Sequence, residues 1–275
     1  MKRFSKVVVA GVLAASMVLF AGCSGGNNNA DGDKDVNANA ESQESNVLKV
    51  GTNAEFAPFE YVNEEDGTTI EGFDIDLINA IAADQGMTVE MENMEFDGLI
   101  MALENGSIDV AIAGMSVDPK RAKQVDFTET YYDAGLNIAV AIDDDSIASE
   151  EDLAGKVVTA QQGTTGANKA MELQEAGVVA DVKLLANINV CMMALANGEV
   201  DAVIMDIPVN NRYVAAHPDE VKIAADIVAE EQEQYAIAVA KGNTELLEKL
   251  DAGLANVKED GTYDALIDKY FGAAE

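Results

Sequence analysis

The chain has one histidine, His217, among its 275 residues, and no tryptophan. A Ser/His/Asp or Cys/His catalytic set therefore has a single imidazole to build on, and none assembles convincingly. His217 precedes Pro218 in a polar loop, so exposure is expected rather than catalysis. Cations are scarce as well: 17 Lys and Arg face 50 Asp and Glu, a formal charge of −33. Such a surface repels polyanions, which argues against nucleic acid and anionic lipid as partners. Long apolar runs are missing too. The one candidate, Val7 to Phe20, falls short of the roughly 20 residues a membrane helix needs, and its only charges lie before it.

That run is read as a leader. Lys2, Arg3 and Lys6 precede it, and small residues follow it. It ends Leu19-Phe20-Ala21-Gly22-Cys23, which resembles a bacterial lipobox with Phe20 at a usually aliphatic position. The resemblance implies a signal peptide over 1–22 and lipidation (palmitate) of Cys23 as the mature N-terminus. An ordinary secretory cleavage site is the alternative. Without the three leader cations, 14 Lys and Arg face 50 Asp and Glu, a balance of −36. With Cys23 lipidated, Cys191 stands alone, which rules out a disulfide within the mature chain. Among Val190, Met192 and Met193, Cys191 reads as a buried small hydrophobe. Residues 23–46 are rich in Gly, Ser, Asn, Asp and Glu and read as a disordered tether. Asp31, Asp33 and Asp35 mimic a calcium loop, but Val36 and Ser42 stand where Gly and Glu are required.

What is abundant is order after residue 46, and a chain of 275 residues with an apolar fraction of 48% supports about two domains. One stretch occurs twice. Met101 to Arg121 reads MALENGSIDVAIAGMSVDPKR, and from Met193 the chain reads MALANGEVDAVIMDIP. Each copy has an apolar stripe at helical spacing (Ile100, Leu103; Met192, Leu195) that stops at Asn-Gly. A β-branched run follows, Ile108 to Ile112 and Val200 to Ile204, suited to a buried parallel strand. Two distant copies of one helix–turn–strand unit predict two similar α/β lobes. Ligands of open α/β sheets bind beyond the strands' carboxyl ends, here Gly114-Met115-Ser116 and Met205-Asp206.

Between and around the repeats the pattern predicts strands at 47–52, 89–91, 136–142, 157–160, 182–185 and 221–224. Helices are expected from Asp74, as N-cap, to about Gln85, from Pro208 to Ala216, and over about 243–258 and 261–271. Ser149-Glu150-Glu151-Asp152 reads as a capping box, and Asp143-Asp144-Asp145 as a solvated turn with a metal site the lesser reading.

The segments TNAEFAPFEY, GFDIDL, FDGLI, AGMSVDPKR and VDFTETYY, in this order, resemble the extracellular amino-acid-binding proteins of ABC importers. Their glutamine-, histidine- and lysine/arginine/ornithine-binding members are the nearest type. The resemblance covers residue 47 to the end. It implies a two-lobe α/β fold of the periplasmic-binding-protein type II, with two crossing strands and a ligand cleft between the lobes. Lobe one is expected over 47–135 and 236–275, and lobe two over 136–235, with hinges near 134–140 and 231–237. The implied partners are a free L-amino acid, an ABC permease and its ATPase. The chain would act as a monomer without cofactor, lipid-anchored on the periplasmic side or outer face of the membrane.

Two residues carry the expected chemistry. Arg121 can fork two hydrogen bonds onto a carboxylate, and Asp206 suits an ammonium, which are the roles of the matching residues in the family. Ser116 and nearby amides complete the carboxylate pocket. The resemblance adds Asn53, Phe56, Phe96, Gly114, Met115, Gln161, Thr164 and Thr165. Each has a plainer reading: Arg121 as surface, Asp206 as an N-cap beside Pro208, Thr164 and Thr165 as caps, Phe56 and Phe96 as core. No second cation faces the site, which disfavours a dicarboxylate, and Asn53, Gln161 and Met205 are neutral, so a neutral polar ligand such as glutamine is expected. Cationic ligands come in through Glu55, Glu60 or Asp97. The rival functions are a lyase of the same fold, resembling cyclohexadienyl dehydratases, and a ligand-sensing domain.

Overall fold

A computed structural model describes residues 46–228 and 233–272. The leader, Cys23 and almost all of the tether lie outside them.

Two five-stranded sheets dominate, and they share one plan. In the first, Val47–Thr52 lies between Thr88–Asn93 and Val110–Ala111, parallel to both. In the second, Val157–Gln161 lies between Asp181–Leu185 and Ala202–Asp206, again parallel to both. Each sheet then takes an antiparallel strand that the chain delivers while crossing from the other lobe. Ala238–Ala240 inserts between Val110–Ala111 and Val125–Phe127. Leu136–Ala141 inserts between Ala202–Asp206 and Val221–Ile227. Strand order in both sheets is thus second, first, third, crossing, fourth.

The repeated unit appears as read. Helices Leu99–Glu104 and Ile188–Ala196 bury Leu103 and Leu195, with Cys191 and Met192, and end at Asn105 and Asn197. The strand that follows Leu99–Glu104 is shorter than expected, Val110–Ala111, although Ile108 to Ala113 are all buried except the half-buried Asp109.

Some local expectations change. The helix Phe73–Asp84 is preceded by Gly72, and Asp74 is fully buried inside its first turn rather than capping it. Glu150–Leu153 is a single 3-10 turn. Its box is partial: Asp152 accepts from the Ala148 amide and the Ser149 hydroxyl, while Ser149 gives no side-chain cap. Among the described residues no cluster fit for a metal ion occurs, and Asp145 pairs with Lys222 instead.

The crossings pair with each other, Tyr132–Asp133 against Gln234–Tyr235. An aromatic cluster holds them to lobe one: Phe59 lies 5.0 Å from Tyr132 and 5.1 Å from Tyr235, and the two tyrosines stack at 5.8 Å. The last helices, Thr244–Glu259 and Thr262–Phe271, pack on Phe73–Asp84. No helix among the described residues is long and apolar enough to cross a membrane.

Candidate functional site

The carboxyl ends of the matching strands meet across one small space. Nine of the eleven residues read from the sequence border it; Asn53 and Met115 do not. Met115 is turned into the core of lobe one with Leu99 and Val125. Asn53 stands one side chain behind, accepting from the Gln161 amide at 2.9 Å and donating to the Met94 carbonyl at 3.0 Å.

Arg121 is 5% exposed, which disposes of the surface reading. It opens a 3-10 turn, and Asp118, just before the turn, accepts from the Lys120 and Arg121 amides. Asp118 also pairs with Arg121 Nε at 3.2 Å. Nη1 donates to the Ser116 carbonyl at 2.6 Å, and Nη2 crosses the cleft to the Gly163 carbonyl at 2.9 Å. The Phe96 ring lies under the guanidinium, 5.2 Å from centroid to Cζ. Two of the five N–H groups donate to carbonyls, Nε faces Asp118 in the ion pair, and the other two N–H groups have no acceptor among the described residues.

Asp206 is 3% exposed at the last position of its strand. It occupies the N-cap position of helix Ile207–Ala216 but makes no side-chain cap bond. Its carboxyl accepts instead from the Tyr235 hydroxyl. Burial raises its pKa to about 7, and the neighbouring Glu233 pushes the same way; the Tyr235 bond and Arg121 oppose them. Arg121 and Asp206 thus bring a buried guanidinium and a buried carboxyl from opposite lobes to one space.

Thr164 follows its plainer reading. Its hydroxyl accepts from the Ala167 amide as the N-cap of Thr165–Glu175 and donates to the Gln161 carbonyl. Thr165 donates across to Glu233 at 2.9 Å. Gln161 is 1% exposed, and its Oε1 has no donor partner although it borders the space. Further pairs bridge the lobes: Gln162 donates to Asp97 at 2.7 Å, and Asn189 reaches Glu55 at 3.5 Å.

Behind Gly114 lies a buried pair of acids that no local pattern joins. Asp74 accepts from the Gly114 amide at 2.8 Å and from the Tyr131 hydroxyl at 2.7 Å. Glu60 is fully buried beside it, and neither of its oxygens has a donor. Burial first, and Asp74 second, hold Glu60 far above the ordinary carboxylate range. Burial takes Asp74 to about 6. Two facing carboxyls without a cation are stable when they share a proton. Glu60 is therefore a core acid of lobe one, not a contact for a cationic ligand.

Glu233, Asp118 and Tyr235 were not singled out from the sequence. Asp118 had a local signal, an acid three residues before the arginine in a turn. Glu233 had none, because it sits in an acidic run that looks like a solvated loop. His217 stacks on Tyr213 at 4.3 Å along a separate open cleft with Arg212 and Tyr61, away from Arg121 and Asp206.

Residues 48–273 match the model of the bacterial extracellular solute-binding proteins, family 3. A probable histidine-binding protein of Campylobacter jejuni is 33% identical, over 85% of this chain and 88% of its own. The arginine-binding extracellular protein ArtP of Bacillus subtilis is 32% identical, over 86% and 89%. Among solved structures, an ancestral arginine-binding protein bound to arginine has a TM-score of 0.77 at 45% identity, covering 82% of this chain and 99% of that one. A structure of an ancestral arginine-binding protein bound to glutamine has the same score and identity, covering 83% and 99%. These similar proteins are binding proteins, not enzymes.

Proposed function

Since the chain belongs to the bacterial extracellular solute-binding proteins of family 3, we propose that it captures a free α-amino acid and delivers it to an ABC permease and its ATPase. The observation that carries this reading is the buried Arg121 and the buried Asp206, brought from two lobes to one small space. A zwitterion leaves water only where both its charges find partners. The two uncommitted N–H groups of Arg121 suit its carboxylate, and ionised Asp206 suits its ammonium. The proposed contacts are Phe56, Phe96, Gly114, Ser116, Arg121, Gln161, Thr165 and Asp206, with Asn53 and Thr164 holding Gln161 and the helix end in place.

The ligand's side chain runs between Phe56 and Phe96 toward Gln161. The free Gln161 Oε1 calls for an N–H donor at the end of that side chain. A cationic side chain of the arginine kind meets that condition, in line with relatives named for histidine and arginine. Glu55 lines the neighbouring open cleft, where Asn189 reaches it. Glutamine, the expectation from sequence, is the second reading. The amide pair Asn53–Gln161 favours it, and one of the similar structures is bound to glutamine.

The same proposal includes the lipid anchor at Cys23, the extracytoplasmic location, a monomeric state, and lobes over 47–135 with 236–275 and over 136–235. A thermal-shift screen of the twenty amino acids on the mature protein tests the core of it. A ligand at 100 times its Kd stabilises by about 2.7 kcal/mol. Arginine, lysine, histidine or glutamine should raise the melting temperature while aspartate and glutamate do not; no shift with any of the twenty would refute the proposal. For the anchor, a Cys23→Ser protein should leave the membrane fraction with its ligand affinity intact.

A further inference from the structure

The return crossing runs antiparallel beside the strand end that carries Ser116. Val117 donates to the Gln234 carbonyl at 2.9 Å, Ala236 donates to the Met115 carbonyl at 3.1 Å, and Ser116 bridges Tyr235. This register brings the Glu233 side chain into the site. Its Oε2 accepts from the Ser116 hydroxyl at 3.3 Å and from the Thr165 hydroxyl at 2.9 Å. Ser116 belongs to lobe one and Thr165 to lobe two, so one carboxylate oxygen ties the lobes together. Among the described ion pairs Arg121 is bound to Asp118, and none joins it to Glu233.

We propose that Glu233 is a built-in rival of the ligand's carboxylate, holding the two hydroxyl donors that an incoming carboxylate needs. This rests on the amino-acid reading given above. A hydroxyl has one proton to donate. While Ser116 and Thr165 give theirs to Glu233, a ligand carboxylate beside Arg121 meets two oxygens without protons and a second anion. Binding then requires Glu233 to give up both bonds. The residue sets affinity through the end of the ligand that every amino acid shares, and so does not discriminate among side chains. The opposite assignment, Glu233 as a second partner for the ammonium beside Asp206, predicts the opposite sign on mutation.

Calorimetry decides between them. The probes are L-arginine and L-glutamine, each as the free acid and as its α-carboxamide, titrated into the parent, Glu233→Gln and Glu233→Ala proteins. Hydrogen bonds to charged groups are strong enough that Glu233→Ala should bind the free acids roughly tenfold more tightly than the parent. Glu233→Gln, still an acceptor but uncharged, should gain less. The carboxamides keep the ammonium and lose the carboxylate, so they should show little gain. Free acids that bind either variant no more tightly than a binding-competent parent overturn the rivalry and leave the amino-acid reading standing. Equal gains for acids and carboxamides also overturn it. If neither the parent nor the variants bind any of the four probes, the functional reading falls and this inference falls with it.

Discussion

In the first lobe the chain leaves strand Val110–Ala111, passes Gly114 and Ser116, and travels on to Arg121. In the second, strand Ala202–Asp206 runs directly into helix Ile207–Ala216. Up to that point the lobes are alike: same strand order, same crossing strand, same Asn-Gly helix end. Beyond it one places a guanidinium in the cleft and the other a carboxylate. The shared part is what packing requires, and the divergent part is what the proposed amino-acid ligand, an asymmetric one, would require. A symmetric pair of lobes would present two cations or two anions to a molecule that carries one of each.

Removing either charge tests that division of labour, and the largest effect is expected here. Truncating one partner of a buried, hydrogen-bonded charge pair costs about 2–5 kcal/mol. Arg121→Ala should therefore weaken amino-acid binding by roughly 1.5 to 3.5 decades, at about 1.4 kcal/mol per decade. Asp206→Asn should cost less, since an amide oxygen still accepts from the ammonium and from Tyr235. Esterifying the ligand's carboxylate should hurt the parent badly and Arg121→Ala little further. Additive losses in that double cycle would mean that Arg121 does not hold the carboxylate.

The comparison also explains which parts were readable beforehand. The repeat, its helix ends and the two strand ends are local patterns, so Ser116 and Asp206 could be placed from the chain alone, whereas Arg121, five residues farther on, rests on the family resemblance. Thr164 was ambiguous because a cap and a ligand contact use the same hydroxyl; the Ala167 amide claims it. Asp74 looks like a cap because its position beside Gly72 is local information, whereas its partners Glu60, Gly114 and Tyr131 are distant. Glu233 was invisible for the same reason. Only the antiparallel register against Ser116, set after the chain has crossed twice, turns that acid inward.

The acids of the two lobes should differ in their response to pH. Asp206, at about 7 in the folded protein, must be ionised to hold an ammonium. Below pH 7 affinity should fall by about a decade per unit, because each binding event must first release a proton. Asp206→Asn should remove that slope. In lobe one, Asp74 at about 6 and Glu60 above its ordinary range do not border the cleft, so they are expected to act on folding instead. Their folded pKa values are raised, so the stability they contribute is complete below about pH 4 and is lost as pH rises through about 6. Glu60→Gln should flatten the decline of melting temperature between pH 4 and 7 without altering the pH dependence of binding. A change in the binding profile of Glu60→Gln would break the separation between the two sets of acids.

The smallest effect sharpens the likeness of the lobes rather than their difference. Gly106 and Gly198 follow the repeated helices at φ 72° and 69°. Around both, an added Cβ meets no atom within 4 Å, so sterics with neighbours do not distinguish them. What an alanine pays is then the left-handed backbone alone, about 1–2 kcal/mol. For a chain this long that is roughly 2–4 °C of melting temperature per kcal/mol. Gly106→Ala and Gly198→Ala should therefore lower the melt by the same few degrees. The sites lie in different lobes with no shared partner, so the double variant should lose the sum of the two. Ligand affinity should not move, because neither glycine borders the cleft. If one substitution cost several times the other, the two helix ends would not be equivalent in energy, and the repeat would be a likeness of sequence without a likeness of role. Equal losses would place the whole functional difference between the lobes beyond the third strand, where Arg121 and Asp206 part company.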